Sequence, residues 1–220
     1  MELFLINEKS LTRGEKIQLG VSYLLQLTLI IAILYSIYKH DWLNTFLTSG
    51  IFLLSSMPSI LRRSYKVRLP VEIDLVVIIF VYASLFLGGM QGYYIRFWWW
   101  DVVLHASSGI LLGFAGFLLV YILNTQKKIQ IHMKPIFVAL FSVAFAVLLG
   151  VIWEIFEFTM DSFFGLNMQV RQSGVVDTMW DLIMDLSGAL AVAVVGYIYM
   201  RRERHLVEKV IRRIIGVKKK

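Results

Sequence analysis

Cysteine is absent from this 220-residue chain, which rules out disulfides, thiolate metal ligands and thiol nucleophiles together and leaves the redox compartment unread. Proline is scarce, at 3 residues, and charged residues make up only 17%. Hydrophobic residues make up 58%, and mean hydropathy is +0.71. So little charge beside so much apolar surface defines an integral membrane protein, without the polar length that a sizeable soluble domain needs. No cleavage site of small residues follows a short apolar core near the start. The first apolar run is therefore expected to be a retained helix rather than a signal peptide. No glycine loop that cradles phosphate is present, and no serine-hydrolase motif surrounds Ser107-Ser108-Gly109.

What the chain does have is a series of long apolar runs. Runs of about 18 or more apolar residues mark membrane spans, and they fall at 18–38, 43–61, 74–95, 101–123, 135–160 and 177–200. The expected fold is all-α. A polytopic membrane helix bundle of about six transmembrane helices fills residues 1–200, and a basic tail follows at 201–220. The second span is diluted at its start by Asn44, Thr45, Thr48, Ser49 and Gly50.

Alternating six spans puts the N-terminus, the 62–73 and 124–134 loops and the tail on one side of the membrane. That side holds all of the 22 Lys and Arg except Lys39, Arg96 and Arg171. The positive-inside rule makes it the cytoplasm, so both termini are expected there and the protein in the plasma (bacterial inner) membrane. The pI near 9.6 is thereby a topology signal and gives no support to a nucleic-acid partner. The tail interleaves Ile211, Ile214, Ile215 and Val217 with basic residues. It is expected to lie on the bilayer surface as an amphipathic helix drawn to anionic lipid. All six Trp map near the opposite interface, as an aromatic belt does.

The acids on that opposite side form three stripes. Trp153-Glu154-Ile155-Phe156-Glu157-Phe158-Thr159-Met160-Asp161 ends the fifth run with carboxylates at i, i+3 and i+7, which share one helix face. The fourth run opens with Asp101 and His105 at i, i+4, and the sixth with Asp177, Asp181 and Asp185 at i, i+4, i+8. Because spans alternate in direction, these three helix ends meet at one membrane face. At 1.5 Å per residue, His105 lies ~6 Å below Asp101, Glu154 ~10 Å below Asp161 and Asp185 ~12 Å below Asp177. His105, Glu154, Glu157, Asp181 and Asp185 are therefore expected to converge. Gly109, Gly113 and Gly116 continue the His105 face, Gly150 precedes Glu154 and Gly188 follows Asp185. The acid-bearing faces are thus also those on which membrane helices approach closely.

Ionisable groups inside a bilayer are expensive and mark function by default. Two carboxylates ~5 Å apart repel by about 3 kcal/mol at an effective dielectric near 20. The cluster needs protons, a counter-charge such as Arg171, or a bound cation. One imidazole among several carboxylates is a ligand set for a divalent metal cation such as Mg²⁺, Mn²⁺, Fe²⁺ or Zn²⁺. It is similar to the two-metal carboxylate sites of helix bundles, which carry two His where this set has one. Asp101, His105, Glu154, Glu157, Asp181 and Asp185 are the candidate ligands, with Glu157 and Asp181 as candidate catalytic groups. The plainer readings are that Asp101 and Asp177 only cap helices, that shallow Asp161 is only hydrated, and that the deeper acids form a structural hydrogen-bond network or a proton path. His40, His132 and His205 read as solvated, and Glu72 and Asp74 as caps of the third helix.

Taken together, Asp101-x3-His105-x3-Gly109, Trp153-Glu154-x2-Glu157-x3-Asp161, Met168-Gln169 and Asp177-Thr178-Met179-x-Asp181-Leu182-x2-Asp185-x2-Gly188 carry a resemblance. The series resembles the YjdF-like family of bacterial inner-membrane proteins over residues 20–200. More loosely, it is similar to VanZ-like and other small polytopic proteins with acids and a His at helix ends. The resemblance implies a polytopic inner-membrane bundle and adds no reaction.

Three functions fit. The first is a metal-dependent enzyme of the outer leaflet that hydrolyses or transfers a lipid or isoprenoid phosphate group. There the metal activates water and clamps phosphoryl oxygens, with Glu157 as general base. The second is a cation- or proton-coupled transporter, which needs polar groups across the whole membrane. The inner halves of the fourth, fifth and sixth helices hold no acid or His, and no inverted repeat is apparent. The third is a non-catalytic scaffold whose polar network sets helix register.

Overall fold

The computed structural model describes residues 12–65, 71–125, 133–165, 168–169 and 174–202. The basic tail beyond Arg202, His132, His205 and the counter-charge Arg171 lie outside the described residues. Among them the chain is helical throughout, with no strand. The helices are α1 (Arg13–Tyr38), α2 (Trp42–Tyr65), α3 (Val71–Val81, continued by a π-helical stretch Tyr82–Met90), α4 (Tyr93–Arg96), α5 (Trp98–Thr125), α6 (Pro135–Phe164) and α7 (Gly174–Arg202).

Four of these, α1, α5, α6 and α7, are long and apolar enough to cross a membrane. The sequence led us to expect six. α2 has the length, at 24 residues, but the polar residues at its start and Ser55-Ser56 dilute it. Along the α3 run, Leu75–Met90 is apolar but shorter than those four.

The described residues form two compact units, one through Gln91 and one from Gly92. In the first, α1 opens with a capping box: the Thr12 hydroxyl accepts Glu15 N–H, and the Glu15 carboxylate accepts Thr12 N–H at 2.8 Å. Asp41 caps α2 by accepting the Asn44 amides, backbone and side chain. The hydroxyls of Thr45, Ser49, Ser55 and Ser56 turn back on carbonyls of the preceding turn, Thr45 to Asp41 and Ser49 to Thr45 each at 2.7 Å. That satisfies them without water. Leu29, Ile51 and Phe86 form the core between α1, α2 and the π-helical stretch, and Thr28 donates to the Tyr82 hydroxyl at 3.1 Å.

The second unit is the α5–α6–α7 bundle, preceded by α4. Its α6 is inside-out by the standard of a soluble helix. The row Val138, Ser142, Ala146, Gly150, Glu154 is buried at strict i+4 spacing, while Leu148, Ile152 and Ile155 face outward. Small residues let the neighbours close in. Where α5 crosses α7, a Cβ on Gly109 would strike the Asp185 carbonyl and one on Gly188 the Ala106 carbonyl. One on Gly113 would lie 3.2 Å from Ala189 Cα. The Ser142 hydroxyl ties α6 to α5 by donating to the Gly113 carbonyl at 2.6 Å. Phe117, Val120 and Val138 close the other end of the bundle.

Helix ends differ from expectation by about a turn. α5 begins at Trp98 and α7 at Gly174, so Asp101 and Asp177 lie within the first turns rather than ahead of them. α6 runs on to Phe164 and stops where Gly165 takes a left-handed conformation, φ 62°.

Candidate functional site

The acid-bearing ends of α5, α6 and α7 meet around one imidazole. His105 sits one turn after Asp101 on α5 and is buried. Its Nε2 lies 3.6 Å from Asp101 Oδ1 and 3.9 Å from Glu154 Oε1. Its Nδ1 lies 3.3 Å from Asp185 Oδ2. Asp101, His105 and Asp181 each offer a donor atom within 4.8 Å of the others, an arrangement able to hold a metal ion.

The hydrogen-bond inventory separates these carboxylates. Glu154 is 3% exposed and Asp181 1%. Neither Glu154 oxygen has a partner in hydrogen-bond geometry, the Thr178 hydroxyl being near enough to act on the carboxyl without reaching that geometry, and nor does Asp181 Oδ1. Native interiors pair nearly all such atoms, and a buried carboxylate without a partner is costlier than a neutral group. The 3.6 and 3.9 Å separations at Nε2 exceed hydrogen-bond length. They fall in the range of roughly 3–4.2 Å between donor atoms that each bind one small divalent ion at ~2.0–2.2 Å. Asp185 is different. One of its oxygens meets Nδ1 and the other meets the Ser108 hydroxyl, whose single proton is shared between Asp185 Oδ1 and the His105 carbonyl at 2.8 Å. Glu157, one turn beyond Glu154, accepts the Trp153 indole N–H at 2.9 Å and is only half-buried.

Of the expected residues, then, Asp101, His105, Glu154 and Asp181 come together, Glu157 lies at their edge, and Asp185 stands on the opposite edge of the ring. Asp161 does not face them. Its two oxygens accept the backbone N–H groups of Met168 and Gln169, at 2.6 and 2.8 Å, so it folds the chain after α6 back on itself. Gln169 in turn donates to the Thr178 hydroxyl of α7 at 3.0 Å.

Three more residues bear on the site that the sequence does not place among its candidate ligands. Asp177 is buried, and its charge acts on Glu154 and Asp181. Its place at the head of the i, i+4, i+8 stripe was the available signal. Ser108 was weighed only as a nucleophile, yet it holds Asp185. Tyr94 belongs to α4, beyond the end of the α3 run. Burial, then the Asp101, Glu157 and Asp181 charges, push its phenol far above the ordinary tyrosine value. It therefore keeps its proton well above neutral pH. No sequence pattern marks it.

Residues 21–202, which include every residue of this site, match the family described as "Predicted membrane protein (DUF2238)". The chain belongs to this family. A protein of Thermotoga maritima described as an uncharacterized protein is 30% identical over 119 residues, which are 52% of this chain and 58% of that relative's length. This chain therefore spans little more than half of the relative it matches. No solved structure matches. Neither likeness names the YjdF-like or VanZ-like proteins, so that resemblance rests on residue spacing alone.

Proposed function

We propose that the α5–α6–α7 bundle carries a divalent-metal site whose ligands are His105 Nε2, Asp101, Glu154 and Asp181, and that the protein is a metal-dependent membrane enzyme. The carrying observation is the buried pair Glu154 and Asp181, in which both Glu154 oxygens and Asp181 Oδ1 make no hydrogen bond while an imidazole and Asp101 stand at ion-sharing distance. A cation there offsets the mutual repulsion of the acids. Mixed oxygen ligands with one imidazole suit Mn²⁺, Fe²⁺, Mg²⁺ or Zn²⁺.

A lipid or isoprenoid-phosphate-type substrate fits a site set among lipid-facing helices. When bound, the metal supplies Lewis acidity toward phosphoryl oxygens and lowers the pKa of water. Glu157 is the general base: Trp153 fixes one oxygen and the other is left to take a proton. Acids and His confined to one end of the three helices favour an enzyme over a conduit. In this reading α2 and the α3 run complete six spans, both termini are cytoplasmic, the tail rests on anionic lipid, and the site opens to the outer leaflet of the plasma membrane.

The test is metal content of the full-length protein purified in detergent. About one ion per chain, lost in Glu154→Gln, Asp181→Asn and His105→Ala, supports the site; a wild type that binds none of the four ions overturns it. Phosphate release from a lipid phosphate in mixed micelles then tests the reaction. Cation flux in liposomes, abolished by the same substitutions, would instead establish a carrier. Because the chain has no native cysteine, Ser162→Cys, exposed near the end of α6, reports the side of the membrane by labelling with an impermeant maleimide.

A further inference from the structure

We infer that Asp185 is a positioning residue of this site rather than one of its ligands: it fixes the His105 ring so that Nε2 is the nitrogen turned toward Asp101 and Glu154. The inference rests on the metal reading above. Several independent contacts carry it. Asp185 Oδ2 meets Nδ1 at 3.3 Å, whereas Asp101 and Glu154 both approach Nε2. Asp185 Oδ1 is taken by the hydroxyl of Ser108, three residues beyond His105 on the same helix. Both Asp185 oxygens are thus held from α5, which sets it apart from Glu154 and Asp181.

Space around the carboxylate points the same way. Asp185 is 1% exposed and backs onto Gly150 of α6. A Cβ at residue 150 would collide with Asp185 Oδ2 and lie 3.2 Å from its Cγ, so the carboxylate occupies the room that the glycine leaves. The Asp185 backbone is itself seated against Gly109 of α5. The carboxylate is therefore confined between α5 and α6 with the imidazole in front of it. A carboxylate on the second ring nitrogen holds the tautomer and orientation of a metal-ligating His and raises its basicity. Ser108 and Gly150 support that role, one by donating a hydrogen bond and the other by making room.

Co²⁺ added to the full-length protein in detergent separates the roles, because its d–d bands report inner ligands and its titration reports affinity. Asp185→Asn is expected to leave the bands in place and to weaken binding by about 10–100-fold. Ser108→Ala is expected to leave the bands in place and weaken binding several-fold, and to add nothing further in the Asp185→Asn background. Asp181→Asn, which removes a proposed ligand, should move the bands. If Asp185→Asn moves them in the same way, Asp185 is a ligand and the inference fails; unchanged affinity defeats it equally. Should Asp185→Asn not fold, Ser108→Ala decides: bands unmoved with weaker binding supports the role, and unaltered affinity refutes it. A wild type that gives no Co²⁺ spectrum defeats the metal reading itself and is told apart by that.

Discussion

Glu154 Oε1 stands 3.9 Å from Nε2 of His105, near enough to share a cation and too far to share a proton directly. The same nitrogen is 3.6 Å from Asp101. An apolar helix bundle that only needed fixed register could use neutral hydrogen bonds, as Ser142 does to Gly113. Acids packed this closely need a positive partner or protons to relieve their repulsion.

The first prediction is therefore a change of sign. With chelator present, Asp181→Asn removes one charge from a set whose pairwise repulsion is on the order of 3 kcal/mol at ~5 Å. The variant should then unfold a few degrees above wild type in detergent. With Mn²⁺ at saturating concentration it should unfold below wild type, because a ligand is gone and binding no longer stabilises the fold. A purely structural hydrogen-bond network predicts a less stable variant in both buffers, and thermal scans with and without chelator distinguish the two.

Tyr94 supplies a pH prediction with a definite sign. Its folded pKa is raised by burial and by the neighbouring acids, while the unfolded phenol titrates near ~10. Above about pH 10 the unfolded chain loses this proton and the folded one keeps it. Stability should fall with rising pH from there upward, and Tyr94→Phe should remove part of that slope. Absorbance titration of tyrosinate should likewise show one residue more ionising late in the folded wild type than in the unfolded chain. Equal slopes for the two proteins would refute the placement.

How much of this was legible in the residues depends on what periodicity can carry. Spacing of three and four placed Asp101 with His105, Glu154 with Glu157, and Asp177 with Asp181 and Asp185 on common faces, because a helix fixes those angles. It could not say on which edge of the imidazole each acid would stand, so Asp185 was grouped with Asp181. Tyr94 was hidden because apolar and aromatic residues continue through Tyr93–Arg96, while the chain turns at Gly92 with φ 72° and starts a separate helix. Asp161 was read as hydrated because the return of Met168 and Gln169 to it is a loop contact with no period. Hydropathy also counts α2 and the α3 run as spans; among the described residues four helices meet the length and apolarity of a span, and Leu75–Met90 is a shorter apolar helix.

The crossing of α5 on α7 gives a stability prediction with an internal control. Gly109→Ala and Gly188→Ala each set a methyl against a backbone carbonyl of the opposite helix, which cannot rotate away. Each should cost about 1–3 kcal/mol or more through forced helix separation, and metal affinity should fall with it because Asp101, His105 and Asp181 span that crossing. Gly89→Ala meets nothing within 4 Å and should stay within about 0.5 kcal/mol of wild type. Thermal unfolding of the three variants side by side checks the difference.

Asp161 is expected to act on the site from outside it. Its carboxylate accepts two backbone N–H groups, and hydrogen bonds to a charged acceptor are each worth roughly 1.5–3 kcal/mol, less here because the group is partly exposed. Asp161→Ala releases Met168 and Gln169, and with them the Gln169 bond to Thr178 on the first turns of α7. Because Asp177 and Asp181 flank Thr178 on that helix, the loss should loosen the α7 side of the cluster while leaving every proposed ligand in the chain. The expected outcome is faster hydrogen exchange at the Met168 and Gln169 amides together with weaker Mn²⁺ binding. Gln169→Ala should reproduce the weaker binding while the Met168 amide stays protected. If Asp161→Ala speeds exchange and leaves Mn²⁺ affinity where it was, the clamp serves the loop alone and the α7 ligands are held by helix packing.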